Sequence, residues 1–296
     1  MTVARRQRTI RRPVSVDGFG YFSGRDICVE FRPAPVGAGV TFVRRDLGVP
    51  TRVPVSPAFR IDMPRRTTLE WRGVRVQMVE HVLAALAGLH VDNCDVWVDA
   101  EEMPGCDGSA QAFVEAIDSV GIVEQEDVVR QIRVEQAIRV GDADVWIEAR
   151  PARRDALSVT FDFDYAPIPE IGRQSFGLVV NPESFRSELA SCRTFIDEAT
   201  ARGMAKRGIG LRVTPQNLLI FGANGPIENA LRFPNECVRH KVLDVVGDLA
   251  LTGCEIFAEV IACRSGHKLH AELARKLMEQ AEIPQRIDAA ETRMCA

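Results

Sequence analysis

The sequence predicts an α+β protein built from two similar halves. Three observations predict it. Runs of alternating apolar and polar residues recur in both halves, each half holds an apolar helix with 3.6-residue spacing, and one segment of the first half resembles one of the second. That pair is HVLAALAGLHVDNCDVWVDAEE, from His81, and HKVLDVVGDLALTGCEIFAEVIA, from His240. Both start on histidine, run through an apolar helix, turn and enter an apolar strand. Two similar halves explain the likeness, but any helix–turn–strand unit has this outline, so the sequence alone leaves duplication open.

The elements follow in order. ICVEFRPA (27–34) and VTFVRRDL (40–47) alternate as half-buried strands, with PVGAG as the turn between them, and RVPVSPAFRIDM from Arg52 continues in the same style. MVEHVLAALAGL (78–89) is the first clear helix, with Val82, Ala85, Leu86 and Leu89 at helical spacing and Gly88 near its end. CDVWVDAEEM reads as a strand, PGCDGS as a turn and AQAFVEAIDSVGI as a helix that Asp107 or Ser109 can cap. EQEDVVR (124–130) is a polar break, which divides the chain into an N-terminal domain of residues 1–127 and a C-terminal domain of residues 128–296. Strands resume with VEQAIRVG, ADVWIEARP and ALSVTFDFD. Helices are expected over 182–190, 197–206 and, most strongly, 235–251. RGIGLRVTPQN and FGANGPIEN read as loops or short strands. The strand EIFAEVIAC, the loop RSGHK and the helix LHAELARKLMEQAE complete the pattern.

Composition excludes several classes. Of 296 residues, 46% are hydrophobic and 26% charged, which suits a packed core. Lys plus Arg number 37 against 41 Asp plus Glu, a net charge of -4, so no nucleic-acid partner is expected. The eight cysteines form no CxxC pair, which argues against a thiolate zinc site and for free thiols in a reducing compartment. The basic start MTVARRQRTIRRP has no apolar stretch behind it and reads as neither a Sec nor a twin-arginine signal. No apolar run reaches the ~18 residues of a membrane span. A soluble cytoplasmic protein is the expectation, and no protein partner is inferred.

Five histidines carry most of the chemical information. In RHKVLDVVGDL, His240, Asp244 and Asp248 fall at i, i+4 and i+8 on one helical face. Imidazole and carboxylate at that spacing can offer two ligands to one Zn²⁺, and a surface His–Asp pair has the same spacing. In VEHVLAALAG, Glu80 and His81 begin an apolar helix. His81 can be a third ligand and Glu80 a proton acceptor outside the metal's ligand set. The plainer reading is a capping Glu and a core histidine. In RSGHKLH, His267 sits in a loop between strand and helix, where it suits a general acid or an oxyanion stabiliser, or is only a helix-start histidine. His90 and His270 show no partner pattern. GFGYFSG (18–24) is spaced GxGxxxG and precedes a strand, so it reads as a tight turn rather than a nucleotide loop.

Taken together, VEHVLAALAGL with its following DN, MPGCDGSAQAF, CRTF, LRFPNECVRHKVLDVVGDL, SGHKL and FRPAP resemble the zinc-dependent UDP-3-O-acyl-N-acetylglucosamine deacetylase family. The resemblance implies an acylated UDP-amino-sugar substrate, deacetylated at the committed step of lipid A biosynthesis. It implies a fold of two similar two-layer α/β sandwich domains with helices packed between two sheets. It implies one Zn²⁺ per chain (a site Fe²⁺ can also occupy) held by His81, His240 and Asp244, with Glu80 as general base. His267 matches the general acid, Asp248 the carboxylate that orients it, Thr194 the hydroxyl donor to the oxyanion, Phe195 the ring against the sugar, and Lys241 the lysine near the diphosphate. The sequence departs from the family at Phe22, where the family has His, and at Thr214–Pro215, where it has a GlyGly segment shaping the acyl passage. A related zinc amidase acting on another acylated amino sugar and a non-catalytic binding protein of the same fold are the competing readings.

Overall fold

The structure is a computed structural model that describes residues 4–165 and 168–283. It has two principal sheets. The first runs, edge to edge, Val14–Phe19, Asp26–Pro33, Cys94–Val98, Val40–Arg44 and Thr51–Pro54. The second runs Ile138–Gly141, Trp146–Pro151, Glu255–Cys263, Leu157–Tyr165 and Gly172–Val179, and Gln131–Arg133 joins the start of its central strand. In each sheet the last strand in sequence takes the centre. It lies antiparallel to one neighbour and parallel to the other, and both outer pairs are antiparallel. The likeness between the two halves of the sequence is therefore a likeness of whole topologies, because a chance helix–turn–strand match does not dictate the order of five strands.

The helices fill the space that the sheets' apolar faces require. Helix α1 (Glu80–Gly88) is buried on almost every side, as its Ala-rich composition demands. Helix α2 (Gln111–Val120) turns Phe113, Val114 and Ile117 inward near the first sheet. Helix α3 (Glu198–Ala205) lies beside a small sheet of Phe195–Asp197, Leu219–Gly222 and Gly225–Pro226. Helix α4 (Glu236–Leu249) packs on α1, and helix α5 (His267–Gln280) packs on α4 and the second sheet. Ser109 rather than Asp107 reaches the first turn of α2, accepting from the Gln111 amide at 3.1 Å, while Asp107 holds the Ser109 hydroxyl at 2.6 Å.

Gly247 sets how closely α1 and α4 approach. A Cβ there would lie 2.1 Å from the carbonyl oxygen of Glu80 and 3.3 Å from the Cβ of Ala84. Gly247→Ala must push the helices apart and is expected to cost about 1–3 kcal/mol. A thermal melt checks this, and an unchanged midpoint would show that the crossing yields without strain. Gly88 plays the same part against Phe185, whose ring would meet a Cβ at 2.3 Å.

One expectation is corrected. Residues 124–130 are not a break: the strand Ile122–Val128 occupies most of that stretch and pairs antiparallel with Arg6–Ile10. This ribbon lies outside both principal sheets, and four of the seven residues of Ile122–Val128 are exposed, so the composition of that strand imitates a linker. The helix expected over 182–190 is present, as one α-turn, Pro182–Ser184, continued by a π-helical stretch, Phe185–Leu189, which seats Phe185 against α1. Val14–Phe19 and Gly172–Val179 are edge strands whose alternation stops at half-burial, which weakens their apolar signal. No helix among the described residues is long and apolar enough to cross a membrane.

Candidate active site

Helices α1 and α4 meet where their ionisable residues are. His240, Asp244 and Asp248 line one face of α4 and are buried, and Glu80 and His81 face them from the first turn of α1, also buried. The rings of His81 and His240 stand nearly perpendicular with centroids 5.1 Å apart. Asp244 Oδ1 lies 3.3 Å from His240 Nε2 and 3.9 Å from His81 Nε2. Its other oxygen accepts a hydrogen bond from Lys241 Nζ at 2.7 Å.

This cluster fits a divalent cation on its own chemistry. Asp244 Oδ1 is buried and has no hydrogen-bond donor, a costly state for a carboxylate oxygen unless something positive completes it. His240 Nδ1 sits 3.0 Å from the carbonyl oxygen of Cys192, so that nitrogen carries the proton and Nε2 presents its lone pair. Burial pushes both imidazoles toward the neutral form, His81 to about 3 with help from neighbouring His240. Despite burial, the His240 imidazole and the Lys241 ammonium hold Asp244 well below the usual carboxylate range. Two neutral nitrogens and one carboxylate oxygen, all within 4.8 Å of one another, form the donor set.

A second network adjoins it. Asp248 is fully buried. Its Oδ2 accepts from His267 Nδ1 and His270 Nδ1, each at 2.8 Å, and its Oδ1 accepts from the Thr67 hydroxyl at 2.5 Å. His270 Nε2 lies 2.9 Å from Ser265 Oγ. These carboxylate oxygens and both Nδ1 atoms are thus already occupied, so the trio Asp248, His267 and His270 is an orienting network despite its metal-like spacing. Burial opposes protonation of His267, but the Asp248 carboxylate outweighs it and lifts His267 to about 9. Burial raises Glu80 to about 7, assisted by the charge of Asp248 and opposed by His267, and its Oε2 accepts from the Thr67 amide at 2.9 Å.

A cavity of about 1120 Å³ opens over both networks. Thr194 lines it, fixed by its amide to the Gly108 carbonyl at 2.7 Å and by its carbonyl to the Leu219 amide at 2.9 Å. Gly108, at φ +85°, brings that loop so close that a Cβ would lie 2.7 Å from the Asn217 carbonyl oxygen. This explains the glycine after Cys106–Asp107. Arg193, beside Thr194, is buried with Glu236 at the start of α4, Nε to Oε1 at 2.8 Å. Phe195 stands edge-on to Phe163 at 5.6 Å and to His240 at 6.4 Å. The cavity lining includes the apolar Met204, Ile209, Val213, Leu218, Ile220 and Ile227, and the exposed cations Arg65, Arg202, Arg264 and Lys268. Phe22 also lines it, under the Arg66 guanidinium at 3.7 Å. Thr214 closes its own turn on Asn217 Oδ1 at 3.0 Å, and neither it nor Pro215 lines the cavity.

The structure thus brings Glu80, His81, Thr194, Phe195, His240, Lys241, Asp244 and His267 to the lining of one cavity, with Asp248 fully buried and hydrogen-bonded to His267. Sequence reasoning missed His270, Thr67, Ser265 and the Arg193–Glu236 pair. His270 had a faint signal, three residues after His267 on one helical face. Thr67 had none, because its partners come from distant α1 and α4.

Comparisons with known proteins place the chain in a family. The family model for UDP-3-O-acyl N-acetylglycosamine deacetylase matches residues 7–279. A UDP-3-O-acyl-N-acetylglucosamine deacetylase of Myxococcus xanthus is 37% identical over 278 residues, covering 92% of this chain and 86% of the relative. One from an Anaeromyxobacter species is 38% identical, covering 92% and 88%, and one from Brucella ovis is 36% identical, covering 96% and 99%. With a family match across nearly its whole length and a donor set in its cavity that fits a divalent cation, this chain belongs to the UDP-3-O-acyl-N-acetylglucosamine deacetylases, a family of metalloenzymes.

Proposed function

We propose that this chain hydrolyses the acetamide of UDP-3-O-acyl-N-acetylglucosamine, releasing acetate and the free amine at the committed step of lipid A biosynthesis. Family membership together with the orphaned Asp244 oxygen between two neutral imidazoles carries the proposal. In this reading His81, His240 and Asp244 hold one Zn²⁺, with Fe²⁺ the alternative. The cation, when bound, supplies Lewis acidity that polarises the amide carbonyl and acidifies water. Glu80, raised to about 7, takes the proton of the attacking water as its oxygen bonds to the acetyl carbon. The carbonyl π pair moves onto oxygen, where the Thr194 hydroxyl and the His267 imidazolium stabilise it. Collapse breaks the C–N bond, and His267, aimed by Asp248, protonates the departing amine.

The apolar lining suits the acyl chain, and the exposed cations of the lining suit the diphosphate. Phe195 offers its ring to the sugar. Lys241 donates to Asp244, and its ammonium has further protons for a phosphate oxygen. The same reading assigns residues 1–127 and 128–296 to two domains, the boundary falling at the end of the Ile122–Val128 strand. It also assigns the cytoplasm, which the free thiols of Cys28, Cys94, Cys106, Cys192, Cys237 and Cys263 support; Cys295 lies outside the described residues. Acetate release from UDP-3-O-acyl-N-acetylglucosamine should require the added metal and cease with a chelator. Turnover of other acylated amino sugars with none of this substrate would overturn the assignment.

A further inference from the structure

Thr67 joins two groups that the proposed mechanism uses separately. It is fully buried. Its backbone amide donates to Glu80 Oε2 at 2.9 Å, and its hydroxyl donates to Asp248 Oδ1 at 2.5 Å. Glu80 begins α1, Asp248 lies near the end of α4, and Thr67 comes from the loop that enters the Thr68–Trp71 strand. One residue from a third element therefore fixes the proton acceptor through its main chain and the partner of the proton donor through its side chain.

We propose that Thr67 is a positioning residue that sets the relative geometry of Glu80 and His267 by bonding to Glu80 and to Asp248. Asp248 Oδ2 is shared by His267 and His270, so this oxygen alone permits the carboxylate to pivot about its Cβ–Cγ bond toward either ring. The Thr67 hydroxyl pins the other oxygen and removes that freedom, so the His267 ring is held at one angle. The Thr67 amide holds Glu80 in the same frame. Neither bond is available from water, because Glu80, Thr67 and Asp248 are all buried. Partners of this kind typically contribute 10–100-fold to activity without touching the substrate.

This inference rests on the deacetylase reading, and the experiment keeps the two apart. Wild type, Thr67→Val and Thr67→Ser are compared with UDP-3-O-acyl-N-acetylglucosamine as substrate. Val keeps the shape and the backbone amide and loses the hydroxyl; Ser keeps the hydroxyl. The expected result is a kcat about 10–100-fold lower in Thr67→Val, KM within about twofold, and recovery in Thr67→Ser. Far-downfield proton resonances of the two Nδ1–H groups on Asp248 supply a readout that needs no turnover. They are expected to shift in Thr67→Val and to stay in Thr67→Ser, with circular dichroism reporting that each variant is folded. If Thr67→Val keeps wild-type kcat and unshifted resonances, or if Thr67→Ser is as impaired as Thr67→Val, Thr67 does not position the pair. A wild-type protein that releases no acetate yet shows the resonance shift would reject the substrate and retain the hydrogen-bond role.

Discussion

Glu80→Gln is expected to lower kcat by about 10²–10⁴-fold, the usual contribution of a positioned general base, while the bound metal stays at one per chain. Gln matches the shape of Glu and its amide oxygen can still accept from the Thr67 amide, so the geometry of α1 should persist. Only the capacity to take a proton is lost. Stability should move the other way. Burial raises the Glu80 carboxyl to about 7, which means the folded state disfavours its charge. At pH 8 that charge is present in both folded and unfolded chains and costs more in the folded one. Gln carries no charge, so the melting temperature at pH 8 is expected to rise. The gain should fade as pH falls toward the ordinary Glu range of about 4.3, where the carboxyl is protonated in both states. A variant that retains full turnover would remove Glu80 from the mechanism. A lower melting temperature at pH 8 would show that the buried carboxylate is stabilised rather than strained.

Asp244→Ala should produce the second large effect, in two separable parts. The first is loss of the cation, because two imidazoles 5.1 Å apart between ring centres remain without the anionic ligand that balances the charge. Metal analysis should fall from one equivalent toward zero, and activity with it. The second part concerns Lys241, whose ammonium loses its 2.7 Å partner. Removing one member of a buried pair commonly costs about 3–5 kcal/mol. The Lys241 side chain is 17% exposed toward the cavity, which places the loss near the lower end. The double variant Asp244→Ala with Lys241→Met should regain most of that stability in urea denaturation while binding no metal. Retention of a full equivalent of cation by Asp244→Ala would break the assignment of the ligand set.

The difference between local and distant partners explains what was legible beforehand. The i, i+4, i+8 row on α4 is a property of helical periodicity, so His240, Asp244 and Asp248 could be placed on one face from spacing alone. The all-apolar run after His81 announced a buried α1 for the same reason. The polar ribbon of Ile122–Val128 misled because an exposed strand and a linker have the same composition, and its partner, Arg6–Ile10, is more than a hundred residues away. Lys241 could not be assigned a contact from its position, since the hydrogen bond to Asp244 depends on the rotamers of two side chains in a packed site.

The order of the residues by itself settled the secondary elements that dominate each half, the repeated helix–turn–strand outline, the family, and the polar side chains able to do the chemistry. Only folding decided that His81 comes within 3.9 Å of Asp244, that Asp248 serves two histidines and Thr67 together, and that Gly247 lets the Glu80 backbone rest on α4. Periodicity and composition act over a few residues and can be read along the chain. The contacts of His81 with Asp244, Thr67 with Asp248 and Glu80 with Gly247 join segments separated by 160 residues or more, while Asp248 reaches its histidines across 19 and 22 residues; the long-range ones exist because burying the apolar faces of both sheets presses α1 against α4.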